Sequence, residues 1–210
     1  MSGRFITIEG QDGAGKSSNI EGIKSRLEHA GIDYKLSREP GGTKLGETLR
    51  QLLLKDKDDE VGDLAELLII FAARAQHLQE VIEPTLASGK WLICDRFTDA
   101  TFADQGGGRG MSAETILQLQ KLVQGERRPD LTVLLDLPEK ISAQRADARS
   151  VPDRFEAQAA DFKRSVRASY LEIAKNEPQR IKVVDASQTL DDVKQSVSEL
   201  IDAYIESEHG

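Results

Sequence analysis

Near the N-terminus an apolar run rich in β-branched residues, Ile6-Thr7-Ile8, stops at Glu9-Gly10. After four intervening residues comes Gly15-Lys16-Ser17, and a helical pattern follows at once. Gly10 to Ser17 spell G-x-x-x-x-G-K-[ST], a loop built to hold phosphates, in the strand–loop–helix setting that its chemistry needs. Glycines let the backbone curl until successive N–H groups point inward at phosphate oxygens. The following helix adds the partial positive charge of its N-terminus. In this pattern Lys16 reaches the β- and γ-phosphates and the Ser17 hydroxyl ligates Mg²⁺. A glycine turn matching by chance is the bland alternative, and the flanking strand and helix make such a match rare.

This feature demands a parallel sheet, and the rest of the chain supplies one. Apolar strand patterns at Phe5 to Glu9, Tyr34 to Ser37, Trp91 to Arg96, Leu131 to Asp136 and Ile181 to Val184 alternate with helical patterns. Alternation of this kind predicts an α/β fold, with helices on both faces of the sheet. Helices are expected at Ser17 to His29, Thr43 to Leu54, Leu64 to Val81, Ser112 to Val123, Pro138 to Ala148, Ala157 to Lys175 and Leu190 to Ile205. Lys55 to Asp63 reads as a charged loop. Phe97 to Asp104 reads as a helical turn, and Gln105 to Gly110 as a flexible glycine loop. A length of 210 residues fits one domain.

Several residues stand out against this background. Arg38-Glu39-Pro40-Gly41-Gly42-Thr43 forms a loop after a strand, at the sheet edge where ligands bind. Arg74 interrupts a helix that is apolar nearly all round, so it needs a carboxylate or a ligand as partner. His77, one turn on, reads as packing rather than catalysis. Arg50 lies beside the apolar face of its helix, and its pattern alone reads as an ordinary solvated arginine. Asp95 ends an apolar strand, the place of an acid that holds Mg²⁺ directly or through water. Arg145, Arg149 and Arg154 cluster around Ser150-Val151-Pro152-Asp153. They read either as a charged helix end or as a lid whose arginines close over phosphates.

Composition narrows the function. A net charge of −8 argues against a general nucleic-acid surface. The single cysteine, Cys94, excludes an internal disulfide and a cysteine-rich zinc site, and reads as a small core residue. No apolar segment is long enough to span a bilayer, and the start shows no signal-peptide core, so no membrane association and a cytoplasmic location are expected.

The P-loop, the REPGGT loop, Phe71-Ala72-Ala73-Arg74, Asp95-Arg96 and Gln105-Gly106-Gly107-Gly108-Arg109-Gly110 occur in an order that resembles the bacterial thymidylate kinases. The resemblance runs essentially end to end, through Asp153-Arg154-Phe155-Glu156 and Asp185-Ala186-Ser187. It implies a five-stranded parallel sheet, a homodimer, and transfer of the γ-phosphate of ATP to dTMP with Mg²⁺, giving dTDP and ADP for dTTP synthesis. Gly10, Gln11, Asp12, Gly13, Ala14, Gly15, Lys16, Ser17 and Ser18 match the ATP loop, with Arg145 in support. Arg38, Arg50 and Arg96 match acceptor-phosphate contacts. Asp95 matches the metal-linked acid, with Ser17 and Glu9 around the ion. Arg74, Thr101 and Gln105 match polar contacts to thymine, and Phe71 lies near its ring. An acid in the P-loop, here Asp12, marks the branch whose catalytic arginine comes from the lid, about 145–156, where Arg149 is the best match. Such an arginine is worth roughly 10³- to 10⁵-fold in rate.

The chain departs from the family at three places. The ring-stacking phenylalanine position is Ile70, one helical step before Phe71. A tyrosine that packs near the deoxyribose is replaced by Asp104, which either bonds a sugar hydroxyl or points to solvent. The lid glycine is Ser150. Two other readings compete: a kinase for another pyrimidine monophosphate such as dUMP, and a nucleotide-dependent switch protein. A switch needs neither acceptor-phosphate arginines nor an arginine lid.

Overall fold

The structure, a computed structural model, describes residues 3–54, 61–138, 141 and 160–209. Five parallel strands form one sheet in the order β2-β3-β1-β4-β5. They are β1 (Phe5–Gly10), β2 (Tyr34–Arg38), β3 (Trp91–Asp95), β4 (Leu131–Asp136) and β5 (Ile181–Asp185). Every residue of β1 is buried, as a central strand covered on both faces must be. Its register sets Ile8 beside Asp95 of β3 and Gly10 beside Leu135 of β4. The P-loop and the end of β3 therefore emerge together at the carboxyl edge of the sheet.

Helices close both faces. On one, α1 (Lys16–His29) and the C-terminal α8 (Leu190–His209) bury Ile20, Ile23, Leu27, Val193, Val197 and Ile201 against Ile6, Ile8 and Ile93. On the other, Phe5, Leu92, Cys94 and Phe97 pack against a helical run, as period-two alternation along β3 requires. That run begins as α3 (Asp63–His77), widens into a π-helical turn (Leu78–Ile82) and ends as α4 (Glu83–Ala87). Also present are α2 (Lys44–Leu54), α5 (Thr98–Thr101), α6 (Ala113–Gln124) and α7 (Ala160–Asn176).

Two expectations need correction. The long helix over Leu64 to Val81 does not stay α-helical to its end, because Leu78 to Ile82 adopt the wider turn. The run Gln105 to Gly110 is not a loop throughout. Residues Phe102–Gly108 form a second π-helical segment continuing from α5. Its glycines allow close approach to α7: a Cβ on Gly107 would sit 2.0 Å from Ser169 Oγ and 3.0 Å from the Ser165 carbonyl oxygen. The composition that suggests a linker is here a packing requirement. The lid residues Arg145, Arg149 and Arg154, and most of the helix expected over Pro138 to Ala148, lie outside the described residues.

Candidate active site

The P-loop takes the form its composition implies. Gly10, Gly13 and Gly15 have positive φ, between 81° and 135°, where a side chain would be strained. Gly15 is the N-cap of α1 and no side chain caps that end; the first turn carries no acid. The free N–H groups and the helix dipole are thus left for an anion. Lys16 folds back along the loop, donating to the carbonyls of Gly10 at 2.9 Å and Gln11 at 3.2 Å. Burial and the nearby Arg96 pull its pKa down. Asn19 braces the loop from behind through the Gly15 carbonyl, at 2.9 Å.

A cleft of about 760 Å³ opens over this loop, lined by Asp12, Gly13, Gly15, Lys16, Ser17, Ser18, Arg38, Arg50, Asp95 and Arg96. Arg38 lies at its exposed side, paired with Glu47 at 2.6 Å. Asp95 Oδ1 is buried and has no hydrogen-bond partner among the described residues. An orphaned carboxylate oxygen in a cleft with a P-loop serine fits a hard divalent cation, which prefers oxygen ligands. Glu9 is placed differently. One oxygen accepts from the Phe97 N–H at 2.7 Å and the other from the Tyr170 hydroxyl at 2.9 Å. Burial and the charge of Asp99 push its pKa up to about 8. It does not line the cleft, and each of its oxygens already accepts one hydrogen bond.

A second cleft, of about 970 Å³, adjoins the first and shares Asp12, Glu39, Arg50 and Arg96 with it. Arg96 stands at the junction. It is the only non-glycine residue among those described with positive φ, at 69°, a conformation that has to be held by its surroundings. Nη2 donates to Asp12 at 2.9 Å, while Nη1 lies 3.4 Å from both Asp104 and the Tyr170 hydroxyl. Burial opposes its charge, but Asp12, Tyr170, Asp104 and Asp95 outweigh that and raise its pKa further. Asp12 is partly buried, which opposes its ionisation, yet Arg96 and Lys16 draw its pKa down to about 2. Arg50, read from pattern as solvated, lines both clefts and donates to the Pro40 carbonyl at 3.1 Å.

The deep end of the second cleft is built around Arg74. The partner it needed is Glu39, which accepts from Nε at 2.7 Å and meets His77 Nδ1 at 2.8 Å. Burial raises the Glu39 pKa, but Arg74 and His77 outweigh it and hold the carboxyl below its ordinary range. Nη2 of Arg74 donates to the Phe97 carbonyl at 3.2 Å and the Thr101 hydroxyl at 2.8 Å. Its guanidinium lies between the rings of Phe71 and Phe97, at 4.8 and 5.0 Å. Nη1 is buried with no partner among the described residues. A buried cationic donor left open at a cleft asks for an acceptor from a ligand. Gln105 lines the same wall and is held by Glu66 at 3.0 Å.

Three placements differ from the sequence reading. Phe71 does not line the cleft. It is buried with Leu67 and Ile116 beneath Arg74, and Ile70 faces the cavity instead. Asp104 points neither to solvent alone nor away from the site but at Arg96. Glu39 stood out only as part of the REPGGT loop, with no role of its own, and Phe97 and Tyr170 were given none.

Comparison with known proteins gives one answer. The family model described as thymidylate kinase matches residues 8–197. The thymidylate kinase of Ectopseudomonas mendocina (strain ymp) is 51% identical over 210 residues, with 100% of both chains covered. That of Pseudomonas syringae pv. tomato is also 51% identical, at the same coverage. The crystal structure of thymidylate kinase from Ehrlichia chaffeensis superimposes with a TM-score of 0.77 at 33% identity, covering 96% of this chain and 99% of that one.

Proposed function

The chain belongs to the thymidylate kinase family, and from that premise we propose how its two clefts carry the reaction. The enzyme phosphorylates dTMP with ATP. Carrying this reading is the meeting of the P-loop cleft with the Arg74 cleft at two shared arginines, Arg96 and Arg50. ATP phosphates lie over Gly10 to Ser18, and Lys16 turns from the loop carbonyls to the β- and γ-phosphates. The acceptor phosphate sits against Arg96, Arg50 and Arg38. The thymine lies at the deep end, where Nη1 of Arg74 donates to a ring carbonyl and Ile70 packs on the ring. An amino group in place of that carbonyl would leave the Arg74 donor buried and unpaired, a strong basis for rejecting cytosine. The thymine methyl is a smaller signal, roughly 1–3 kcal/mol.

Transfer brings two anions together, so charge placement does most of the work. Arg96, fixed by Asp12 and by its backbone, holds the acceptor oxygen in line with the γ-phosphorus. Ser17 and Asp95 would hold Mg²⁺, which neutralises the β- and γ-oxygens when bound. Arg149, with Arg145 in support, serves as the lid arginine in this proposal. We also propose a homodimer, a cytoplasmic location, and one kinase domain spanning residues 1–210. Supporting the dimer are exposed leucines on three adjoining helices: Leu45 and Leu52 on α2, Leu64 and Leu68 on α3, Leu117 and Leu122 on α6.

A coupled ADP-release assay with Mg²⁺-ATP and dTMP, dUMP, dCMP, UMP or AMP, plus a control without acceptor, tests the reading. Release with dTMP well above the others is expected. Release that ignores the acceptor would point to the switch reading.

A further inference from the structure

The acceptor cleft holds one acid for which the transfer chemistry has no use. Asp104 stands on the second π-helical segment, between Gln105 at the deep end and Arg96 at the junction. Its side chain remains 25% exposed, toward the cleft. Arg96 is gripped unequally: the Nη2 bond to Asp12 is 2.9 Å, while Nη1 lies 3.4 Å from Asp104 Oδ2. A contact of 3.4 Å is long and weak for a charge-assisted pair. Nη1, which lies equally far from the neutral Tyr170 hydroxyl, is thus the arm of Arg96 that an incoming oxygen can take, and Asp104 is the charged group it must be taken from.

Given the kinase reading above, we infer that Asp104 is a positioning residue that competes with the acceptor phosphate for Arg96, so that acceptor affinity depends on the charge of this one carboxyl. Before the acceptor arrives, Asp104 matches the charge of Arg96 and orients Nη1 along the cleft. A phosphate that binds displaces it and then lies beside a like charge, a standing penalty on affinity. Protonation of Asp104 removes the penalty.

The groups facing Asp104 set where that happens. Arg96 follows β3, Asp12 and Lys16 lie on the P-loop, Glu66 on α3 and Tyr170 on α7. Burial raises the Asp104 pKa most; Arg96 and Lys16 lower it, and Asp12 and Glu66 raise it, to a value of about 6. The carboxyl is therefore charged above that pH and neutral below it, within a range an enzyme experiences.

Calorimetric titration of the intact protein with dTMP, without ATP, tests this from about pH 5 to about pH 8. Near pH 8, Asp104→Asn is expected to bind dTMP roughly tenfold more tightly than the unaltered chain, a coupling of ordinary size. Near pH 5 the two should agree within about twofold. Asp104→Glu should keep the pH-dependent behaviour of the unaltered chain, and Asp104→Ser should follow Asp104→Asn. Ionisation of the acceptor phosphate itself is common to all and cancels in the ratios. A ratio that is constant across pH, or weaker binding by the uncharged variants near pH 8, overturns the inference. Failure of every protein to bind dTMP would overturn the acceptor reading, and this inference with it.

Discussion

Glu39 shows how much a single side chain can carry without touching a substrate. It is 3% exposed and holds both Arg74 and His77. Replacing it with glutamine keeps its shape but leaves a buried guanidinium without its counter-charge, a loss of about 3–5 kcal/mol. The pH dependence follows from its lowered pKa. The stabilisation is fully present above the unfolded value near 4.5 and is lost as pH falls through the lower folded value. Urea unfolding of Glu39→Gln and the unaltered chain should therefore differ most near neutral pH, and the difference should shrink below about pH 4. The sequence showed that Arg74 needed a partner, because a charge inside an apolar helix is an anomaly in one dimension. It could not show that the partner lies 35 positions away, since that pairing depends on how β2 and α3 meet. Ile70 and Phe71 taught a similar lesson. Both are apolar and both are buried, so only the helix rotation decides which meets the cleft.

At the scale of elements, strands and most helices were legible because their periodicity follows from burial. The P-loop was legible down to single residues, since phosphate binding leaves little freedom in what can stand there. The glycine run after α5 was not. Glycine marks flexible loops and tight helix contacts alike, and the difference lies in α7, whose side chains close on the run from more than fifty residues later. Gly107→Ala should make that difference measurable. The added methyl must displace Ser169 and meets the Ser165 backbone, a cost of roughly 1–3 kcal/mol from overpacking. Calorimetry should show a lowered melting temperature, together with weaker dTMP binding because Asp104 and Gln105 ride on the same segment. A loop would absorb the methyl with little change.

For the whole molecule, α2, α3 and α6 each carry exposed leucines, and Leu122 is 81% exposed. Sedimentation should give twice the chain mass, and Leu68→Glu combined with Leu117→Glu should give a monomer, because charges cannot be buried unpaired across such a contact. The strand order was expected in kind but not in sequence: pattern predicts parallel strands, whereas neighbours are chosen by packing and by right-handed crossovers. That order bears on how the protein is made. β1 leaves the ribosome first, yet its neighbours are β3 and β4, and β4 ends at Asp136. At ordinary rates of synthesis, β1 waits roughly 6–25 s for its second neighbour. During that interval the one strand buried along its whole length has at least one open edge in a crowded cell. The nascent chain must be shielded there, by its own helices or by chaperones, before the phosphate loop at its end can take shape.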